Sequence, residues 1–162
     1  PLWDMGGTAK SEFQPGQCMQ CDTPSCVAAC PVDATYKQAD GLVVIDPMKC
    51  IGCGNCVSAC PYGARYRNPG TRRADKCDFC EHRLRRGEQP ACVEACENGE
   101  MVFGDLNDPS SEIRQLLAER LTIRRKPGLG TRPEVYYIVE DPRTLQEVAP
   151  AAEVFEEEGG HA

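Results

Sequence analysis

Apolar and polar residues alternate in only a few short runs in the first two thirds of the chain, which predicts small elements rather than long ones. Two such runs within residues 35–46 flank the sequence Ala-Asp-Gly at 39–41, a turn signal that predicts a β-hairpin. Residues 81–86 have a helical pattern, and Gly87 stands where it would cap that helix.

A longer helix and a strand are predicted near the end of the chain. Apolar side chains recur at helical spacing over residues 110–123, and Asp108 or Ser110 could cap the first turn. The cations of residues 124–126 suit the negative end of the helix dipole. Residues 134–140, EVYYIVE, have the pattern of a β-strand. The helix would pack through one apolar stripe, formed by Ile113, Leu116, Leu117 and Leu121.

A short sequence repeats three times around the cysteines. Residues 27–31 (VAACP) are echoed by residues 57–61 (VSACP) and by residues 93–97 (VEACE). In each copy a cysteine loop leads into one helical turn, which a proline ends in the first two copies. The small residues beside the cysteines would let backbone N–H groups approach an inorganic cofactor closely.

The spacing of the cysteines carries the strongest chemical signal. Residues 50–61 read C-x2-C-x2-C-x3-C-P, which is typical of bacterial-type [4Fe–4S] proteins. Residues 18–31 follow the same plan with two more residues between the second and third cysteines. Residues 77–96 read C-x2-C-x11-C-x3-C. The sequence therefore predicts iron–sulfur clusters in tandem.

The first two motifs are predicted to exchange one ligand each, because the fourth cysteine of such a run binds the neighbouring cluster. The exchanged residues would be Cys30 and Cys60. Val43 and Ile45 of the predicted hairpin would cover one side of the clusters. The predicted ligands of cluster A are Cys18, Cys21, Cys26 and Cys60. The predicted ligands of cluster B are Cys50, Cys53, Cys56 and Cys30.

Twelve cysteines and only 6% aromatic residues in a chain of 162 residues indicate that something other than a large apolar core holds the domain together. Disulfides are disfavoured, because the cysteines are bunched in repeated loops. Zinc prefers paired C-x2-C knuckles, so it is a weak alternative at the first two motifs and a stronger one at the third. Iron–sulfur clusters account for all three motifs.

Charge and the other motifs exclude several function classes. The formal net charge of −7 argues against nucleic-acid or phosphate binding. No run approaches the ~20 apolar residues of a membrane span, and no signal peptide is visible. A catalytic triad, phosphate loop or dinucleotide fingerprint is not found, and no catalytic residue is predicted. His82, one of two histidines with His161, is expected to pack or hydrogen-bond near a cluster. Arg72 and Arg73 are expected in a solvated polar loop over 67–75.

The cysteine motifs and their surroundings resemble a known family of redox subunits. The resemblance covers roughly residues 12–139 and rests on the sequence from Cys18 to Tyr66, on KCDFCEHRLRRGEQPACVEAC, and on GDLNDPSSEI and GTRPEVYYI. The chain is similar to the four-cluster ferredoxin-type subunits of the dimethyl sulfoxide reductase family of molybdenum and tungsten enzymes, above all to the polysulfide and thiosulfate reductase type.

Subunits of that family carry four cysteine motifs, and this sequence shows the last three. The resemblance implies that the first and fourth motifs exchange ligands, so Cys77, Cys80 and Cys92 would hold a third cluster, C. Cys96 would then serve a fourth cluster, held mainly by the absent motif. We favour an N-terminal segment missing from the sequence, which begins at Pro1 without Met. Alternatively, another chain supplies the motif, or Cys96 closes cluster C; one centre could be [3Fe–4S].

The resemblance also implies partners. The subunit would relay electrons between a catalytic subunit with a molybdenum or tungsten bis-pterin cofactor and a membrane subunit that reacts with quinone. It would be membrane-associated through those partners, on the periplasmic or the cytoplasmic face. A free-standing polyferredoxin-like carrier is the alternative, and a structural metal-binding module a third; the C-terminal extension favours the bound subunit.

The predicted fold is α+β, a bacterial-type dicluster ferredoxin-like fold with an additional cluster-binding insert and a C-terminal helix–strand extension. A connector over residues 1–17, anchored by Trp3, would precede the cluster domain of residues 18–104. The extension would occupy residues 105–145, followed by an acidic, disordered or partner-bound tail over 146–162.

Overall fold

Short helices and strands joined by loops form the fold in the computed structural model, which describes residues 15–139. Trp3 and the acidic tail lie outside the described residues. The strands form three two-stranded antiparallel sheets. None of the helices within the described range is long and apolar enough to cross a membrane. In chain order the elements are α1 (Ser25–Ala28), β1 (Thr35–Lys37), β2 (Val43–Ile45), α2 (Asn55–Ser58), β3 (Arg65–Arg67), β4 (Ala74–Lys76), α3 (Glu81–Leu84), α4 (Ala91–Glu94), α5 (Glu112–Glu119), β5 (Thr122–Ile123), a 3₁₀ turn (Pro127–Leu129) and β6 (Tyr137–Ile138).

The first two cysteine motifs fold as two copies of one unit, a single helical turn followed by a β-hairpin. Helix α1 leads into β1 and β2, and α2 leads into β3 and β4. The hairpin predicted within residues 35–46 is confirmed, with Thr35 opposite Ile45 and Lys37 opposite Val43. The two helices are in contact, which brings the two units together.

The second hairpin was not predicted. The polar loop expected over residues 67–75 is correct only in its middle, because strands β3 and β4 occupy its two ends. The side chain of Asn68 closes the turn by accepting the N–H groups of Gly70 at 2.9 Å and Thr71 at 3.2 Å. Arg72 lies in this turn and is exposed. The strand sequences, RYR and ADK, have no apolar alternation, so the pattern gave no sign of them.

The buried core is built around cysteines. Cys26 of α1 and Cys56 of α2 pack with Val43, whose exposed fraction is 1%. Ile45, the other residue expected to cover the clusters, is only partly buried. Partly buried apolar side chains pack around this group; they are Val27, Val57 and Ala74.

The C-terminal helix is shorter than predicted. Helix α5 begins at Glu112 but ends at Glu119 rather than at residue 123. Arg120 has extended backbone angles (φ −111°, ψ 146°), and strand β5 follows it. The β-branched side chains of Thr122–Ile123 favour a strand over a helix, so the apolar spacing overestimated the helix. Of the strand predicted over 134–140, whose last residue is not described, only β6 pairs, with β5.

The predicted ends of α5 are also corrected. The residue that precedes the helix is Ser111, not Asp108 or Ser110, and its side chain does not cap it. The Asp108 carboxylate instead accepts the N–H of Ser110 at 2.8 Å. Leu121, the predicted end of the apolar stripe, is 40% exposed. The cations of residues 124–126 follow strand β5, so they do not close the helix.

The chain after α5 folds back onto the first cysteine motif. The N–H groups of Asp22 and Thr23 donate to the carbonyls of residues 132 and 131, at 2.8 and 3.1 Å. The N–H of Glu134 donates to the carbonyl of Met19 at 2.9 Å. These bonds fix the end of the described range against the cysteine-rich half of the molecule.

Candidate iron–sulfur centres

One group of four cysteines combines residues of both paired motifs. Burial raises the pKa of the Cys21 thiol to about 11; a hydrogen bond with Thr131 opposes this, and three neighbouring thiols add to it. Such charge effects are strong only at a few ångströms, so the other three thiols lie around Cys21. The neighbours are Cys18, Cys26 and Cys60. These four residues are the set predicted for cluster A, with Cys60 arriving from the second motif.

A second group of four cysteines lines one cavity that opens to solvent. Three come from the second motif, and Cys30 comes from the first. Small residues leave the space between them; Gly52, Gly54 and Ala34 lie in the same wall. The four cysteines are Cys30, Cys50, Cys53 and Cys56. They are the set predicted for cluster B, and a cavity walled by four thiols fits the ligand requirement of a [4Fe–4S] cube.

Backbone donors surround the Cys30 thiol, which is predicted to be exchanged between the motifs. Burial opposes ionisation of this thiol, but N–H groups of Val32, Ala34 and Thr35 outweigh it and hold its pKa below the ordinary value. The N–H of Ala34 lies 3.3 Å from the Cys30 Sγ. N–H donors of this kind favour a thiolate, the form that binds iron.

Gly52 brings two segments together at the second group. Its φ of +69° favours glycine, and a Cβ there would overlap the carbonyl oxygen of Arg72. The loop between Cys50 and Cys53 therefore packs directly on the turn of the second hairpin. Only a residue without a side chain allows this approach.

The third motif has a different local structure. Phe79 and Cys80 both have a left-handed backbone, with φ of +57°, and Asp78 accepts the Cys80 N–H at 2.8 Å. Helix α3 ends two residues before the end predicted for it, and Gly87 follows with φ +73°. Burial raises the pKa of the Cys77 thiol, the N–H of Phe79 lowers it, and Cys18 raises it, so this motif adjoins the first group.

The long insert of the third motif is held by side chains at its surface. Arg83 donates through Nε to the carbonyl of Gln89 at 2.7 Å and forms an ion pair with Glu94. These bonds connect α3, after Cys80, with α4, which carries Cys92. His82 is exposed. That it packs or hydrogen-bonds near a cluster stays a prediction.

All twelve cysteines lie in the described range and are free thiols, in intermediate, buried or exposed positions. Among residues 15–139, no three His, Cys, Asp or Glu side chains converge closely enough to bind a single metal ion. The thiolates of a cube each bind a different iron, so a cluster does not require such convergence.

Sequence reasoning missed two cations beside these thiols. Arg65 and Lys76 face each other across the second hairpin, and both are buried. Tyr62 and Thr131 were also missed; their hydroxyls lie 2.5 Å apart and join the C-terminal extension to the second motif. Hydrophobic periodicity carries no signal for polar residues, so it missed all four. The available signal was proximity in sequence, because Tyr62 and Arg65 follow soon after Cys60-Pro61.

Residues 9–106 match the family described as the 4Fe-4S dicluster domain. The protein belongs to this family. The clusters predicted from the cysteine spacing are thereby confirmed as [4Fe–4S] in type, and the small helices and strands are those of a dicluster ferredoxin-type domain.

Curated relatives confirm the resemblance stated from the sequence. A polysulfide reductase chain of Wolinella succinogenes is 44% identical over 133 residues, covering 82% of this sequence and 70% of the relative. A tetrathionate reductase subunit of Salmonella typhimurium is 48% identical over 126 residues, covering 76% and 50%. A putative dimethyl sulfoxide reductase iron-sulfur subunit of Halobacterium salinarum is 41% identical over 150 residues, covering 82% and 57%.

These relatives are named as single components of reductases, which does not favour the alternative of a free-standing carrier. The chain spans between half and about seven tenths of their lengths.

Proposed function

We propose that this chain relays electrons through [4Fe–4S] clusters as the iron–sulfur subunit of a molybdopterin-containing reductase. The observation that carries the proposal is the grouping of cysteines from two motifs into two mixed sets of four. When bound, the clusters would supply reversible one-electron exchange. The chain's own residues would hold them, exclude water and provide N–H donors.

The proposed ligands follow the two groups. Cluster A would be held by Cys18, Cys21, Cys26 and Cys60, and cluster B by Cys50, Cys53, Cys56 and Cys30. The support is that the pKa of Cys21 responds to the first set and that the second set lines one cavity. Motifs that exchanged no ligand would group each cysteine with its own run.

The third motif would hold cluster C through Cys77, Cys80 and Cys92. Cys96 would bind a fourth cluster if a further cysteine motif joins it, and would close cluster C otherwise. An iron determination distinguishes these arrangements, because three cubes bring about twelve irons per chain and four bring about sixteen. A [3Fe–4S] centre would be visible by EPR in the oxidised protein.

The partners we propose are a catalytic subunit with a molybdenum or tungsten bis-pterin cofactor and a membrane subunit that reacts with quinone. Membrane association would then come through the partners. The support is that relatives at 41 to 48% identity are named as components of reductases. Co-purification of the chain with the products of neighbouring genes tests both partners.

Two matched variants test the ligand exchange. Cys60→Ser should remove or convert cluster A and leave the EPR signal of cluster B, although Cys60 lies in the second motif. Cys56→Ser, four residues earlier, should do the reverse. If both variants disturb the same signal, the motifs do not exchange ligands. A colourless protein without iron would refute the function as a whole.

A further inference from the structure

Two positive side chains are buried beside the cysteine groups. Arg65 is 4% exposed and Lys76 is 8% exposed, and the two residues pair across β3 and β4. Burying one charged group is costly, and burying two of the same sign side by side is more so. Burial lowers the pKa of Lys76, whereas the Arg65 guanidinium stays charged, so negative charge close to Arg65 would offset the cost.

Carboxylates do not supply that charge. Among residues 15–139, no Asp or Glu forms an ion pair with Arg65 or Lys76; the six ion pairs found there involve other cations. Lys76 has neutral acceptors instead, the carbonyl oxygens of Val43 and of Cys77, the latter at 2.9 Å. The Asp75 and Glu81 carboxylates are close enough to interact with Lys76 but form no ion pair with it. Neither cation therefore has a carboxylate in direct contact among the described residues.

Arg65 also has an unused donor. Its Nη1 donates to the Thr35 hydroxyl at 3.0 Å, whereas its Nη2 is buried without a hydrogen-bond partner among the described residues. A guanidinium has five N–H donors and keeps its charge at any physiological pH. A buried N–H without an acceptor is rare in native proteins, and a bound group that accepts it is one explanation.

Arg65 lies on the cysteine side of the hairpin. Its pairing partner Lys76 donates to the Val43 carbonyl, and Val43 packs against Cys26 in the buried core. Thr35, which orients Arg65, also lines the cavity of the second group. Arg65 thus stands between the two mixed sets of four cysteines, with its free N–H buried.

We propose that Arg65 sets the reduction potential of the cluster bound through Cys26, by placing a fixed positive charge and a free N–H donor against it. A [4Fe–4S]²⁺ cube with four thiolates carries a charge of about −2, and one-electron reduction adds a further negative charge. A neighbouring cation stabilises the reduced form more than the oxidised form. The inference rests on the proposed function, since it requires a cluster at Cys26.

The test is an EPR-monitored redox titration of the full chain, purified without air and reduced stepwise with dithionite. R65Q should raise the ratio of oxidised to reduced cluster about tenfold at a fixed ambient potential, which is about 59 mV for a one-electron couple. R65K keeps the positive charge, so its ratio of oxidised to reduced cluster should stay within about threefold of the wild-type ratio. R67Q is the matched control, because Arg67 lies two residues away on β3 and is exposed; its ratio should change less than about twofold.

A measurement on the unsubstituted protein covers the case in which R65Q does not assemble its clusters. Protein grown with ¹⁵N-guanidino arginine should show a ¹⁵N hyperfine coupling at a reduced cluster, retained in R67Q and lost in R65K. Three results would each overturn the role of Arg65. The first is absence of that coupling, and the second is an unchanged reduction potential in R65Q with full iron content. The third is a change of potential in R65K or R67Q as large as that in R65Q. Absence of clusters from the unsubstituted protein would instead refute the proposed function.

Discussion

The paired motifs and the third motif are held in place by different means. In the paired motifs, Cys26 and Cys56 pack with Val43 in a buried core. In the third motif, neither α3 nor α4 contains a buried residue, and Cys92 is exposed. Links between side chains connect this region instead, including the edge-to-face pair of Phe79 and Phe103, whose ring centres lie 5.4 Å apart.

The contrast shows that a cluster-binding motif can be positioned in two ways. The paired motifs create their own interior, and two of the cluster ligands that we propose, Cys26 and Cys56, are part of its core. The third motif lies on that interior through Cys77, which is close to Cys18. Equivalent changes should therefore have larger effects in the paired motifs than in the third.

The largest effect is expected from removal of the iron. After oxidation and chelation, the amides of residues 35–46 should exchange with deuterium at least ~100-fold faster, because the core behind this hairpin contains Cys26 and Cys56, two of the proposed cluster ligands. Peptides from residues 81–94 should change less, since their helices already lack buried residues. Hydrogen-exchange mass spectrometry measures both. Equal loss of protection in the two regions would contradict the comparison.

Two glycines with similar backbone angles allow a matched test of packing. Gly52→Ala should speed cluster loss in guanidinium by more than ~100-fold, for two reasons. The new Cβ would overlap the Arg72 carbonyl oxygen, and the positive φ is unfavourable for alanine. Gly87→Ala also has an unfavourable φ, but its new Cβ would enter open space. It should lower the stability by about 1 kcal/mol and speed cluster loss roughly fivefold. Visible absorbance follows the loss. Similar rates for both variants would show that the close approach at Gly52 has no energetic weight.

A pair of valines, one in each region, allows the packing of the paired motifs and of the third motif to be compared directly. Val43→Ala removes two methyl groups from a side chain that is 1% exposed and should destabilise the domain by about 2 kcal/mol. Val93→Ala, in the partly exposed turn of α4, should cost less than ~1 kcal/mol. Denaturant midpoints measured on the cluster-loaded proteins give the difference, and a larger effect at Val93 would reverse the ranking.

The smallest effect is expected for the surface link in the third motif. Arg83→Gln loses the ion pair with Glu94 and the bond to the Gln89 carbonyl, and should cost about 1 kcal/mol. Salt screens the ion pair in the wild type, so added salt should reduce the difference in stability between the wild type and the variant. Arg86→Gln is a suitable control, because its partner Glu88 lies two residues away on the same loop. A larger cost for Arg86→Gln would contradict the bridging role of Arg83.

The sequence predicted those parts of the molecule whose signals are local. The hairpin of residues 35–46 has apolar strands and a turn sequence, and the cysteine spacing indicated [4Fe–4S] clusters. Which cysteine binds which cluster stays a prediction. The second hairpin was missed because its buried members are Arg65 and Lys76, and a pattern search assigns cations to solvent. The counter-charge that we propose for Arg65 is a cofactor, which leaves no trace in hydrophobic periodicity. The end of α5 was missed because Leu121 continued the helical spacing after the backbone had become extended.

Residues 131–134 are hydrogen-bonded to the backbone on either side of Cys21, yet they lie beyond the span, residues 9–106, of the family match. A chain shortened after residue 106 would keep every cysteine but lose this cover and the Thr131 hydroxyl next to Cys21. Dioxygen would then reach the first motif directly. A loss of clusters in air that is faster in the shortened chain than in the full chain would show that the extension shields the first motif.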